Sequence, residues 1–161
     1  MAAASGRFLA FIDSDCRPEK DWLERGLDHL AQAEVIGGRV EVAVEDAQAM
    51  CLVEAFEKIF AFSNKVYVQR KGFSGTGNLL MRRAVYDAVG GFRSGVSEDH
   101  EWGQRAGAQG YRIIYADDVV VFHPACRDFS DLLQRWKRLT REAYLLTLER
   151  RFGRVRWALR S

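Results

Sequence analysis

Phe8-Leu9-Ala10-Phe11-Ile12 is an unbroken apolar run that ends on Asp13-Ser14-Asp15. Five apolar residues without polar alternation predict a strand buried on both faces, which needs cover on each side of its sheet. Pro18 is placed to open a helix as its first residue, and Trp22, Leu23, Leu27 and Leu30 recur at helical spacing to about Ala33. Val35 to Val42 reads as the next strand, with Gly37-Gly38 marking a bend or close packing. Residues 47–62 return to a helical period. Gly72 to Asn78 is a glycine-rich loop before a short strand at Leu79-Leu80-Met81. A short helix over Arg83 to Val89 ends at Gly90-Gly91. Ser97 is the expected N-cap of a helix from about His100 to Gln109, closed by Gly110. Tyr111 to Tyr115 and Val119 to Phe122 read as two more strands, and Phe129 to about Arg151 as one or two amphipathic helices. Strands alternate with helices, so the expected class is α/β.

The chain has 161 residues, 48% hydrophobic and 29% charged, with a formal net charge of +2. That is enough apolar content for one domain with a core, and the charge balance argues against disorder and points away from nucleic acid. Cys16, Cys51 and Cys126 are odd in number and widely spaced, which reads as reduced thiols in a cytoplasmic protein. His123 and Cys126 lie three apart, but no second pair accompanies them, so a structural zinc site is not expected. Met1-Ala2-Ala3-Ala4 lacks the basic region and apolar core of a signal peptide, and no run approaches the roughly 18 apolar residues that span a bilayer. The expectation is a soluble chain, peripheral at most on the inner face of a membrane.

Several residues can do chemistry. Asp13 and Asp15 stand one residue apart at the carboxyl end of a strand, where open α/β sheets bind ligands. They suit a hard divalent cation on a diphosphate, or a turn whose carboxylates bind backbone amides. Glu98 and Asp99 are either helix-start acids facing the positive end of the dipole, or hold a general base for an acceptor hydroxyl. His123, at the end of an apolar strand, either completes a metal site or fills a turn before Pro124. Gln134-Arg135-Trp136 lies on the C-terminal amphipathic helix; Arg135 and Arg138 can pair with a diphosphate or form a solvated basic face, and Trp136 can be core. The loop Gly75-Thr76-Gly77-Asn78 matches neither a Walker loop nor a dinucleotide fingerprint, and suits close backbone approach to a substrate.

The order of these signals is specific. Asp13-Ser14-Asp15, Gly75 to Arg83, Gly90-Gly91-Phe92, Glu98-Asp99, Gly110-Tyr111, His123 and Gln134-Arg135-Trp136 together resemble the family 2 inverting glycosyltransferases. The resemblance runs from Ala3 to about Trp136. It implies a GT-A-type fold: Rossmann-like, with a mostly parallel mixed sheet flanked by helices. It also implies a nucleotide-diphosphate sugar as donor, and a polysaccharide, glycolipid or lipid-linked saccharide as acceptor. Asp15 would bind Mn²⁺ or Mg²⁺, with Asp13 on donor ribose or metal and His123 added to the metal site. Asp99 would be the catalytic base and Glu98 would orient it or the acceptor. Gly75, Thr76, Gly77 and Asn78 would meet the acceptor. Gln134, Arg135 and Trp136 resemble the end of a Gln-x-x-Arg-Trp donor-binding signature, though here glutamine directly precedes arginine.

Family members carry further strands before the Asp-x-Asp strand, so a GT-A domain lacking its first nucleotide-binding βα units is expected over residues 1–128. A basic amphipathic helical segment is expected over 129–161. Two alternatives remain. A haloacid-dehalogenase-like phosphatase would use Asp13 as nucleophile and need Asp117-Asp118 as its later acids. A binding module would use the arginines and the interleaved Trp136, Tyr144 and Trp157 on a membrane or nucleic acid.

Overall fold

The computed structural model describes residues 4–159; Met1-Ala2-Ala3 at the start, and Arg160 of the basic segment, lie outside them. The chain runs β1 (Phe8–Ile12), β2 (Arg17–Pro18), α1 (Trp22–Gln32), β3 (Val35–Ala43), α2 (Leu52–Phe60), and α3 (Asn64–Val66), which continues into a π-helical turn at Tyr67–Lys71. Then come β4 (Asn78–Arg82), α4 (Arg83–Val89), α5 (Glu98–Ala108), β5 (Ile113–Pro124), α6 (Phe129–Leu148) and α7 (Gly153–Ala158). The strands form one sheet in the order β1-β4-β3-β5-β2.

The sheet is mixed, with less parallel pairing than expected. β1, β3 and β5 share a direction, but β4 runs antiparallel between β1 and β3, and β2 runs antiparallel to β5, so only β3 and β5 pair in parallel. The strand buried on both faces is β4 and not β1. Leu79 and Met81 join one core with Val85, Val89 and Trp102, while Leu80 joins the other with Trp22, Leu30 and Val121. The period-two alternation of a strand sends neighbouring side chains to opposite faces, so three residues feed two cores. Burying each such side chain stabilises by about 1.5–3 kcal/mol. β1 pairs only with β4 among the described residues; Leu9 is buried but Ala10 is exposed.

Two further expectations fail for local reasons. Pro18 does not open α1. It pairs with Val121 in β2, at the sheet edge, where its missing N–H costs no ladder bond. The two strands expected around 111–122 are one, because a bulge absorbs their separation: Ala116 pairs with Gly38, and Val120 with Arg39. Asn78 pins that irregularity. Its side chain accepts from Trp22 Nε1 at 2.9 Å and donates to the carbonyls of Arg39 and Val119 at 2.8 Å. Gly38 must be glycine here, since a Cβ would collide with the Asn78 amide and the Val119 carbonyl.

Ser97 occupies the N-cap position of α5 but makes no side-chain cap bond. No helix among the described residues is long and apolar enough to cross a membrane.

Candidate active site

The turn after β1 brings the acids to the end of β5. Cys16 N donates to Asp13 O at 3.0 Å, closing the turn, and Arg17 then pairs with Phe122, one residue before His123. Asp15 Oδ2 therefore lies 3.6 Å from His123 Nε2. Ligand atoms of Asp13, Asp15, Cys16 and His123 all fall within 4.8 Å of one another. The two aspartates are exposed and the histidine is buried. His123 Nδ1 faces the Pro124 carbonyl at 2.6 Å, which can only accept, so Nδ1 carries the proton and the Nε2 lone pair faces the cluster. Two carboxylates and an imidazole nitrogen, which here also faces the Arg135 guanidinium at 3.4 Å, could hold a divalent cation. Gly77 leaves room beside them: a Cβ there would sit 2.7 Å from Asp13 Oδ2.

A charged wall stands behind this cluster. Glu57 of α2 is 1% exposed. It accepts from Arg135 of α6 and from the Cys126 amide at 2.6 Å, while the Cys126 thiol lies 3.4 Å from its other oxygen. Arg135 Nη2 reaches His123 Nε2 at 3.4 Å, and its guanidinium lies over the Phe62 ring, 5.2 Å from the centroid. Phe62 in turn packs on the His123 ring at 4.4 Å, in a left-handed backbone conformation (φ 53°) that a side chain rarely adopts. Burying an acid beside an arginine is tolerable when the acid is paired and hydrogen-bonded, as Glu57 is by Arg135 and the Cys126 amide.

Asp99 occupies the first turn of α5. Burial pushes its carboxyl from 3.8 up to about 6; the His100 amide, donating at 2.6 Å, pulls the other way, and neighbouring Glu98 raises it further. Thr76 Oγ1 lies 3.5 Å from Glu98 Oε1, and the next residue, Gly77, leaves the space that Asp13 occupies. The loop thus links the acid cluster to the start of α5. Asn64 braces it, accepting from the Gly75 amide at 3.2 Å and donating to Gly38 O at 2.8 Å.

The structure brings Asp13, Asp15 and His123 together, with Arg135 beside them, and sets Glu98, Asp99, Gly75, Thr76 and Gly77 around the adjoining loop. Asn78 is a correction: it is fully buried with its side chain committed to the bulge, so it cannot touch an acceptor. Gln134 is exposed, and Trp136 packs edge-on against Phe56 at 5.4 Å instead of reaching the cluster. Asp117 and Asp118 sit in the β5 bulge. Asp117 accepts from Tyr115, and Asp118 pairs with His29 at 2.7 Å, so they do not serve as the late acids of a phosphatase site. Sequence reasoning missed Cys16, Glu57 and Phe62. Cys16 alone carried a signal, by directly following Asp15.

The model of glycosyl transferase family group 2 matches residues 8–160. The chain belongs to that family. It is 32% identical over 169 residues to glycosyltransferase AglE of Haloferax volcanii, an alignment that covers 97% of this chain and 54% of AglE. This glycosyl transferase family member therefore spans about half the length of that curated relative. Its fold is similar to that of the mannosyltransferase PcManGT from Pyrobaculum calidifontis, solved with GDP-Man and Mn²⁺. The TM-score is 0.61 at 17% identity, over 93% of this chain and 41% of that one. At that identity the likeness is one of fold, and the architecture is GT-A-like.

Proposed function

We infer that this chain carries the chemistry of a metal-dependent, inverting transferase that moves a sugar from a nucleotide-diphosphate sugar to a saccharide or lipid-linked hydroxyl. The carrying observation is a division of labour. Two exposed carboxylates beside a buried imidazole, and a half-buried carboxyl raised to about 6, flank one glycine loop. Asp13, Asp15 and His123 would hold the cation, which when bound would supply positive charge for a departing diphosphate. Asp99 takes the proton of the acceptor hydroxyl, and a value near 6 suits a base that must be ionised yet proton-hungry near neutrality. The acceptor oxygen then forms its bond to the anomeric carbon from the face opposite the leaving group. The bond to the diphosphate breaks with its electron pair on the diphosphate oxygen, and configuration inverts. Glu98 orients the base through its contact with Thr76, and the Gly75–Gly77 backbone leaves space for the acceptor.

Thermal melting with Mn²⁺ and each of UDP, GDP, CDP and dTDP tests this. At a hundred times its dissociation constant, a bound nucleotide stabilises by about 2.7 kcal/mol, a shift of several degrees for a chain of this size. One nucleotide is expected to give that shift with Mn²⁺ present. No shift with any of them would contradict a donor site on this chain.

A further inference from the structure

We propose that Glu57 is a positioning residue for the cation cluster: it holds Arg135 off the His123 lone pair and so keeps that nitrogen open to a metal ion. Glu57 is the one buried residue of α2, 1% exposed, and it lies behind the cluster without joining it. Its Oε1 takes the Arg135 guanidinium, and its Oε2 accepts at 2.6 Å from the amide of Cys126, three residues past His123. The carboxylate is thus fixed to the backbone that carries the histidine. Arginine presents five N–H donors in a rigid fork, so fixing Nη1 on Glu57 also fixes where Nη2 points. Nη2 stops 3.4 Å from His123 Nε2, beyond the about 2.7–3.2 Å of a well-formed N–H hydrogen bond. Phe62 lies against both groups, its ring centroid 4.4 Å from that of His123 and 5.2 Å from the guanidinium carbon, and it offers no polar contact that could do the same.

Stability alone is a poor account of this pair. A buried glutamate and arginine can often be replaced by apolar residues of similar volume without loss, so burying them here calls for a second reason. The cluster supplies one. A cation on Asp13, Asp15 and His123 would need the Nε2 lone pair, because Nδ1 carries the proton directed at the Pro124 carbonyl. Arg135 is the donor that competes for that lone pair, and its charge opposes the ion's at close range. Glu57 answers both effects. It stops the guanidinium short of the nitrogen, and its negative charge offsets the arginine's. Without it, Arg135 would be free to swing onto Nε2 and close the hydrogen bond, and its positive charge would face the ion uncompensated. This role rests on the cluster being a cation site, and adds to that site a residue that touches neither ion nor substrate.

The test is Mn²⁺ titration of the full chain, with the free ion followed by electron paramagnetic resonance, in wild type, Asp15→Ala, Glu57→Gln and the double variant Glu57→Gln/Arg135→Leu. Binding that Asp15→Ala loses is binding at this cluster. Glu57→Gln is expected to weaken it by about tenfold or more, the scale on which a partner behind a metal ligand acts. The double variant should recover wild-type affinity, because no guanidinium is left to close on His123. Circular dichroism and melting report the fold of each variant. The double variant removes both charges together, so it should fold even if Glu57→Gln does not. The nitrogen NMR resonance of His123 Nε2, read without metal, adds a signature that a merely structural role would not move. It should shift towards the position of a hydrogen-bonded nitrogen in Glu57→Gln but not in the double variant. Equal Mn²⁺ affinity in wild type and folded Glu57→Gln, or loss of Mn²⁺ binding by the folded double variant, would overturn the proposal and leave the cation site standing. No binding by wild type, or binding that Asp15→Ala leaves undiminished, would remove the cation site and the proposal with it.

Discussion

Asp15 and Asp99 are both carboxylates at the margins of the same sheet, and the fold treats them in opposite ways. Asp15 hangs in a turn with its side chain 56% exposed, 3.6 Å from an imidazole whose lone pair faces it. Asp99 is tucked into the first turn of α5, where burial lifts its carboxyl to about 6. An exposed carboxylate in company with a second acid and a histidine is arranged to receive positive charge. A desolvated one is arranged to receive a proton. The loop Gly75–Gly77 lies between them, with Gly77 beside Asp13 and Thr76 on Glu98. The two roles proposed for them could not be exchanged between the two positions, because what differs is the access of water, not the residue type.

The largest expected effect falls on Asp99, the half-buried member. Asp99→Asn should lower kcat by about 10²–10⁴-fold, the usual contribution of a general base, while leaving Mn²⁺-dependent nucleotide binding intact. In the wild type the rate should rise with pH through about 6 and level off above it, as Asp99 gives up its proton. A flat profile across that range would remove Asp99 from the role of base.

Glu57 sharpens the contrast from a third side, since it is buried and charged but paired. Glu57→Ala leaves Arg135 half-enclosed without its partner and should cost about 3–5 kcal/mol of stability, read by denaturant melting. A loss under about 1 kcal/mol would mean that Arg135 finds water and that the wall behind His123 is not held by this pair.

Stability against pH gives the smallest but most diagnostic effect. Burial raises Asp99 from 3.8 to about 6, so the folded chain binds this proton more tightly than the unfolded chain. Wild-type stability from this group is therefore present in full below about 4 and lost as pH climbs through about 6. Asp99→Asn avoids the cost of a buried charge. It should be more stable than wild type by about 3 kcal/mol above pH 6, and the advantage should fade as pH falls towards 4. An advantage that does not change with pH would point to packing and not to the charge.

Much of this was legible in the sequence, and what was not has physical causes. Asp13, Asp15 and His123 could each be placed at a strand's carboxyl end. Their contact depends on β2, which is two residues long, includes a proline, and has no pattern to read. The run at Phe8–Ile12 promised a strand buried on both faces, yet the strand so buried is β4, whose apolar stretch of Leu79-Leu80-Met81 is too short to announce it. Asp117-Asp118 looked like a break between strands because pattern reading does not see a bulge. Asn78 looked like a loop residue open to substrate. It is buried because Trp22, 56 positions away, and the bulged backbone both need its amide. Periodicity finds a helix at α2 but does not say which face turns inward, so Glu57 could not be singled out.

The contrast between the two carboxylates is tested most directly by titrating Mn²⁺ and following the free ion by electron paramagnetic resonance in wild type, Asp15→Ala and Asp99→Asn. Wild type and Asp99→Asn are expected to bind the ion alike, and Asp15→Ala to lose binding by about tenfold or more while melting within about 0.5 kcal/mol of wild type, as an exposed substitution should. Undiminished binding by Asp15→Ala, or loss of binding by Asp99→Asn, would contradict the division of metal and proton between them.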